Sequence, residues 1–220
     1  MLNYTDFNKL LFIIILTVAL YSPLSSARFE DDEAPLKNKI EISFIPGILF
    51  GGSYDYEEGY GTIKPGPSVE GIFAWYVKRY GRLFLSYDHQ FTHLLLKPQT
   101  STMPSATVKA ITGSMLFGGE TDIPLKYRTI PFVGMGVGTT YLLSHIEGAK
   151  PDFFFLASFF GGIKFPINKT VGLRMNFKLL ITIPSGNSSS MCIEGHGCKV
   201  SVFVDTVGRG EFGLGIYLLF

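Results

Sequence analysis

Phe212-Gly213-Leu214-Gly215-Ile216-Tyr217-Leu218-Leu219-Phe220 is the stretch that decides the fold. It alternates with period two. Phe212, Leu214, Ile216, Leu218 and Phe220 share one face; Gly213, Gly215, Tyr217 and Leu219 share the other. Successive strand residues point to opposite sides, so this is a strand with one wholly apolar face. Left at the edge of an open sheet, such a strand invites aggregation. A barrel that pairs its last strand with its first removes the edge, and a bilayer makes a greasy outer face favourable.

The pattern extends upstream. Apolar residues make up 46% of the 220 residues, aromatics 15% and charged residues only 17%, with 25 Gly. Mean hydropathy is +0.27. That balance, without a long apolar run, suits a protein that crosses a membrane with strands. A net charge of +1 gives no footprint for nucleic acid. At the start, Lys9 precedes an apolar run at 10–20, Tyr21-Ser22-Pro23 breaks it, and Ser25-Ser26-Ala27 offers small residues for cleavage. Residues 1–27 therefore read as a secretory signal peptide, and 28–220 as the mature domain. No later stretch is long and apolar enough for a helical span, so any crossing is made by strands.

Eight strands are expected, at about 39–51, 68–77, 82–95, 107–120, 130–143, 153–165, 171–183 and somewhere within 200–220. The last is longer than the ~9–11 residues of a crossing, so it either projects or bends near Gly208-Arg209-Gly210. The fourth strand has blurred faces. Connections alternate long and short, with long loops near 52–67, 96–106, 144–152 and 184–199. The fold class is all-β: an eight-stranded antiparallel transmembrane β-barrel. On this terminal strand and this rhythm the chain resembles small bacterial outer-membrane β-barrels such as the OmpA membrane domain and OmpX. The resemblance is architectural and carries over no functional residue. It implies a bacterial outer membrane, both termini periplasmic, a monomer among outer-membrane lipid and lipopolysaccharide, and recognition of the Phe220 strand by the barrel-assembly machinery. Long loops would meet any surface ligand.

Seven charges fall opposite the apolar faces: Glu41, Glu70, Arg82, Asp88, Lys164, Arg174 and Lys178. In eight strands the interior is about wide enough for side chains to fill it, so they are expected to pair in the lumen. Gly134, Gly136 and Gly138 alternate on one strand, which implies a close approach from across the lumen. Cys192 and Cys198 flank Ile193-Glu194-Gly195-His196-Gly197, and in an exported chain they read as one disulfide. Their spacing with a single His does not suit zinc, and nothing calls for a cofactor. Outer-membrane lipid A deacylases resemble this size and topology and use a His-x-Ser pair. None of His89, His93, His145 or His196 begins one. His89 and His93 read as outward residues near the outer rim. The expected role is structural or surface interaction without enzymatic activity; a lipid-modifying enzyme and a narrow pore are the alternatives.

Overall fold

The computed structural model describes residues 38–56, 59–98, 106–124, 129–144, 152–183 and 207–220. The expected signal peptide, the pair Cys192 and Cys198, and His145 and His196 lie outside them. The described residues form strands and turns. Eight strands are the staves of a closed barrel: β1 (Ile40–Phe50), β4 (Gly66–Tyr76), β5 (Gly81–Pro98), β6 (Ala106–Asp122), β7 (Ile130–Ser144), β8 (Asp152–Pro166), β9 (Val171–Ile183) and β10 (Val207–Leu219). Two short strands, β2 (Ser53–Tyr56) and β3 (Gly59–Ile63), form a hairpin between β1 and β4.

Every stave pairs antiparallel with its neighbours, and β1 pairs with β10 to close the ring. The chain's ends meet there: Ile40 N donates to Phe220 O at 3.1 Å and Phe220 N to Ile40 O at 2.9 Å. Each register runs without a bulge. Followed partner by partner, Ile40 leads through Trp75, Leu83, Gly119, Met135, Phe159, Leu179 and Gly210 to Phe50, ten residues along the starting strand. That stagger tilts the strands and, with eight of them, leaves a lumen that side chains can fill.

Sequence alternation becomes radial sorting. Along β4, Ser68, Glu70, Ile72, Ala74 and Tyr76 are buried while Val69, Gly71, Phe73 and Trp75 are exposed. Tight turns at 77–80 and 167–170 define one end of the barrel. In the first, Val77 N and Lys78 N donate to Gly81 O at 3.1 and 3.0 Å; in the second, Asn168 Oδ1 accepts from Thr170 N and Val171 N, both at 2.8 Å. The Asn side chain takes over the role of a backbone carbonyl, which is why Asn suits such turns.

Two expectations are corrected. The segment near 52–67 is not simply a loop. β5 has 18 residues and β4 only 11, so β5 overhangs its partner. β3 fills that overhang, Ile63 facing Leu94 and Gly59 facing Pro98. Tyr, Thr and Ile there favour strand. The last strand also does not bend: Gly208, Arg209 and Gly210 pair in one register with Ile181, Leu180 and Leu179.

Candidate functional site

The lumen is where the charged side chains converge, and its contents follow from which strand end each residue occupies. Glu41 is second in β1, Tyr76 last in β4, Arg82 second in β5 and Asp122 last in β6. All therefore meet near the turn end. Lys164 on β8, Arg174 on β9 and Glu120 on β6 join them. Arg82 pairs with Glu41 and Glu120, and reaches Asp122 at 3.5 Å. Lys164 Nζ lies 2.9 Å from Glu41 and 3.1 Å from Asp122. Arg174 bridges Glu41 at 2.8 Å and Glu120 at 2.7 Å. The Tyr76 hydroxyl donates to Asp122 at 2.9 Å. Three acids face three bases, so the cluster is neutral in sum. The Phe132 ring lies among them, 4.4 Å from the Arg174 guanidinium carbon and 5.4 Å from Lys164 Nζ. Such contacts favour a desolvated cation.

An apolar layer follows, with Ile45, Ile72, Phe84, Leu116 and Leu180 buried and Phe160 packed against them. Phe84 and Phe160 meet edge to face at 5.1 Å. These two rings are what the glycines of β7 accommodate. A Cβ on Gly134 would fall 2.4 Å from the Phe160 ring, and one on Gly136 would fall 3.0 Å from that of Phe84. At Gly138 the nearest atom is instead the backbone oxygen of Met115.

A second polar group lies toward the loop end. Lys178 pairs with Glu70 and, at 3.0 Å, with Glu211. Ser68 donates to Glu211 at 2.9 Å. Asn176 joins the two groups, accepting from Arg174 Nε at 2.9 Å and donating to Glu70 at 3.4 Å. Arg209 donates to Thr140 at 3.2 Å and Thr112 at 3.4 Å, and Thr112 donates to Gln90 at 3.0 Å. Asp88 is fully buried, yet neither of its carboxylate oxygens has a hydrogen-bond partner. Beyond it, Ile63, Leu94, Ala110, Leu142 and Val207 form an apolar cap. The void between the two polar groups, lined by residues including Glu70, Phe84, Phe160 and Lys178, has about 10 Å³ of water-accessible space. That is room for one water molecule.

The structure buries all seven charges named from the sequence. Six join the connected network and Asp88 stands outside its hydrogen bonds. It adds Glu120, Asp122, Arg209 and Glu211. The first two sit on the strand whose faces the sequence leaves blurred. The last two flank Gly210, where a bend is one of the two alternatives the sequence leaves open. The i, i+2 spacing within each pair was the available clue, because a straight strand puts both residues on one face.

Outside, the barrel is apolar. Phe44, Phe73, Phe91, Phe117, Phe177 and Leu214, on six different staves, are each at least half exposed, the kind of apolar exterior that suits a membrane. His89 and His93 lie on the outward face of β5. His89 Nδ1 is 3.3 Å from the Tyr87 hydroxyl, which is 3.0 Å from that of Tyr141. These polar atoms satisfy one another on a lipid-like surface. Among the described residues no set of three His, Cys, Asp or Glu could hold a metal.

A closed, eight-stranded, antiparallel cylinder with a polar filled core and an apolar exterior is the fold of the small outer-membrane β-barrels. Three solved structures show it at low identity. Outer membrane protein OprG from Pseudomonas aeruginosa matches with a TM-score of 0.63 and 10% identity, over 84% of this chain and 96% of that one. Neisserial surface protein A matches at 0.55 and 12%, over 82% and 96%. Outer membrane protein AlkL, solved in lipid bilayers, matches at 0.55 and 11%, over 90% and 97%. No family model and no curated protein matches the chain.

Proposed function

We propose that this chain is an integral protein of a bacterial outer membrane, with a structural or surface-interaction role and a plugged lumen. The observation that carries the reading is the combination of an apolar exterior with an interior closed by paired charges and two apolar layers. Two further features support it. The turn end holds both Ile40 and Phe220, which suits a periplasmic placement of the termini. The longer strands β5 and β6 project from the other end with the hairpin, which suits loops facing the exterior. The barrel closes within one chain, so it needs no partner subunit. Lipopolysaccharide and phospholipid are its surroundings, the Phe220 strand is its signal to the assembly machinery, and the loops offer the surface for a ligand. The pair Cys192 and Cys198, outside the described residues, reads as one disulfide, which mass measurement with and without reductant checks.

The enzyme alternative draws no support from the described histidines. Each acid whose side chain is described lies inside the barrel, so neither His89 nor His93 has a carboxylate partner on its own face among them.

Membrane fractionation, with gel migration of heated and unheated samples, tests placement and closure. Outer-membrane recovery and a heat-dependent shift are expected; recovery in a soluble fraction would overturn the reading. Planar-bilayer recording tests the plug, with no resolvable ion conductance expected. Unchanged lipid A mass profiles with and without the gene are expected for a non-enzyme.

A further inference from the structure

Charge in this molecule is sorted by face. Among the side chains whose placement is described, Glu41, Glu70, Asp88, Glu120, Asp122 and Glu211 all lie in the lumen. The described charges on the outer surface are all basic. At the loop end four of the basic side chains gather on adjacent strands. Lys64 directly follows β3, and its backbone N–H donates to the carbonyl of His93 on β5 at 2.9 Å. His93 lies opposite Lys109 on β6. Lys97 stands four residues beyond His93, opposite Tyr60 of the hairpin, with its ammonium 5.4 Å from that ring. All four side chains are exposed. Toward the barrel's middle on the same two strands lie Phe91, Ile111, Met115 and Phe117, with Phe91 58% and Phe117 55% exposed.

Like charges on neighbouring strands repel, and no described acid on this face offsets them. The arrangement is matched by an amphipathic anion: phosphate at the height of the lysines and acyl chains over the aromatic and aliphatic surface below. Two monoester phosphates carry about −3 to −4, which suits a cluster of three lysines beside a histidine. A basic cluster at a membrane surface recognises lipid headgroups in this way.

We propose that Lys64, His93, Lys97 and Lys109 form a binding site for the phosphates of a diphosphorylated, multiply acylated glycolipid of the outer leaflet. Phe91, Ile111 and Phe117 receive its acyl chains. This rests on the outer-membrane reading above, because that reading places the loop end in the outer leaflet.

The full-length barrel in detergent is incubated with diphosphoryl lipid A or with its dephosphorylated form, and retained lipid is counted by native mass spectrometry. Retention of the diphosphoryl form is expected to exceed that of the phosphate-free form by more than tenfold. The combined K64Q, H93Q, K97Q and K109Q variant is expected to lose that preference. Lysine-to-arginine changes at 64, 97 and 109 keep it, as do K39Q, K78Q and K169Q together at the turn end. The heat-dependent gel shift verifies that each variant is folded. Equal retention of both lipids, undiminished retention by the glutamine variant, or an equal loss in the turn-end variant would overturn the site. Failure here leaves membrane fractionation untouched, and recovery in a soluble fraction would sink the membrane reading while this binding assay stands.

Discussion

Arg174 donates to three side chains at once: Glu41, Glu120 and Asn176, at 2.8, 2.7 and 2.9 Å. It is fully buried, so truncation would leave two carboxylates short of their counter-charge in a confined space. Breaking one partner of a buried pair costs about 3–5 kcal/mol, and R174A is expected to lower stability by that amount. Thermal or urea unfolding in detergent reads it, and an unchanged midpoint would remove Arg174 from the network. Asp88 predicts the opposite sign. Its carboxylate is buried and accepts no hydrogen bond, and an unsatisfied buried group costs about 1–3 kcal/mol, more when charged. D88N removes the charge at nearly constant volume, so the same unfolding assay is expected to show an equal or higher midpoint. The two residues look alike in the sequence, since each is a charge on the inward-facing register of an alternating strand. Alternation gives the face of a residue. It does not give its partner, because partners come from strands far apart in sequence, such as Glu41 and Arg174.

At the scale of single elements, β7 shows how shape is passed across the lumen. Its glycines leave space for the rings of Phe160 and Phe84, and overpacking a filled core costs about 1–3 kcal/mol. G134A is expected to destabilise within that range, and adding F160L should recover part of the loss, because the clashing ring atom is removed. Chemical unfolding of both variants checks the coupling. That something fills the space above these glycines is legible in the sequence, as three alternate glycines in a strand demand a neighbour. Which ring does so is not, since it depends on the stagger of the staves. The hairpin is hidden for a similar reason. Gly59 to Ile63 looks like loop until β5 is seen to outrun β4, and a strand forms there because an unpaired edge is waiting for it. Ile63 also joins the apolar cap with Leu94 and Val207. I63S is therefore expected to loosen the hairpin and cap while leaving the staves paired, seen as faster amide exchange at 59–63 with unchanged exchange in β9.

At the scale of the whole molecule, architecture is the most legible property, because one physical rule governs every stave. A residue facing hydrocarbon is apolar and its neighbour in sequence faces a filled lumen. β9 states the rule most plainly: Leu173, Phe177 and Leu179 are outside while Arg174, Asn176 and Lys178 are inside. β6 obscures it, since Leu116 and Phe117 are both apolar although one faces the lumen and the other faces out. Glu120 and Asp122 share that strand, so their inward placement is equally hidden. The basic rim was also beyond reach, because it needs Lys64, His93 and Lys109 to be neighbours, and only the register makes them so.

The seam between β1 and β10 has a consequence in time. Ile40 and Phe220 exchange backbone hydrogen bonds across nearly the whole described length of the chain. Contacts so remote in sequence form slowly, since the intervening segment must first be gathered. Until β10 docks on β1, two long edges stay open and ready to capture a stranger's strand. The seam can therefore zip up only after the staves between β1 and β10 are in place, and ring closure is a late step of folding.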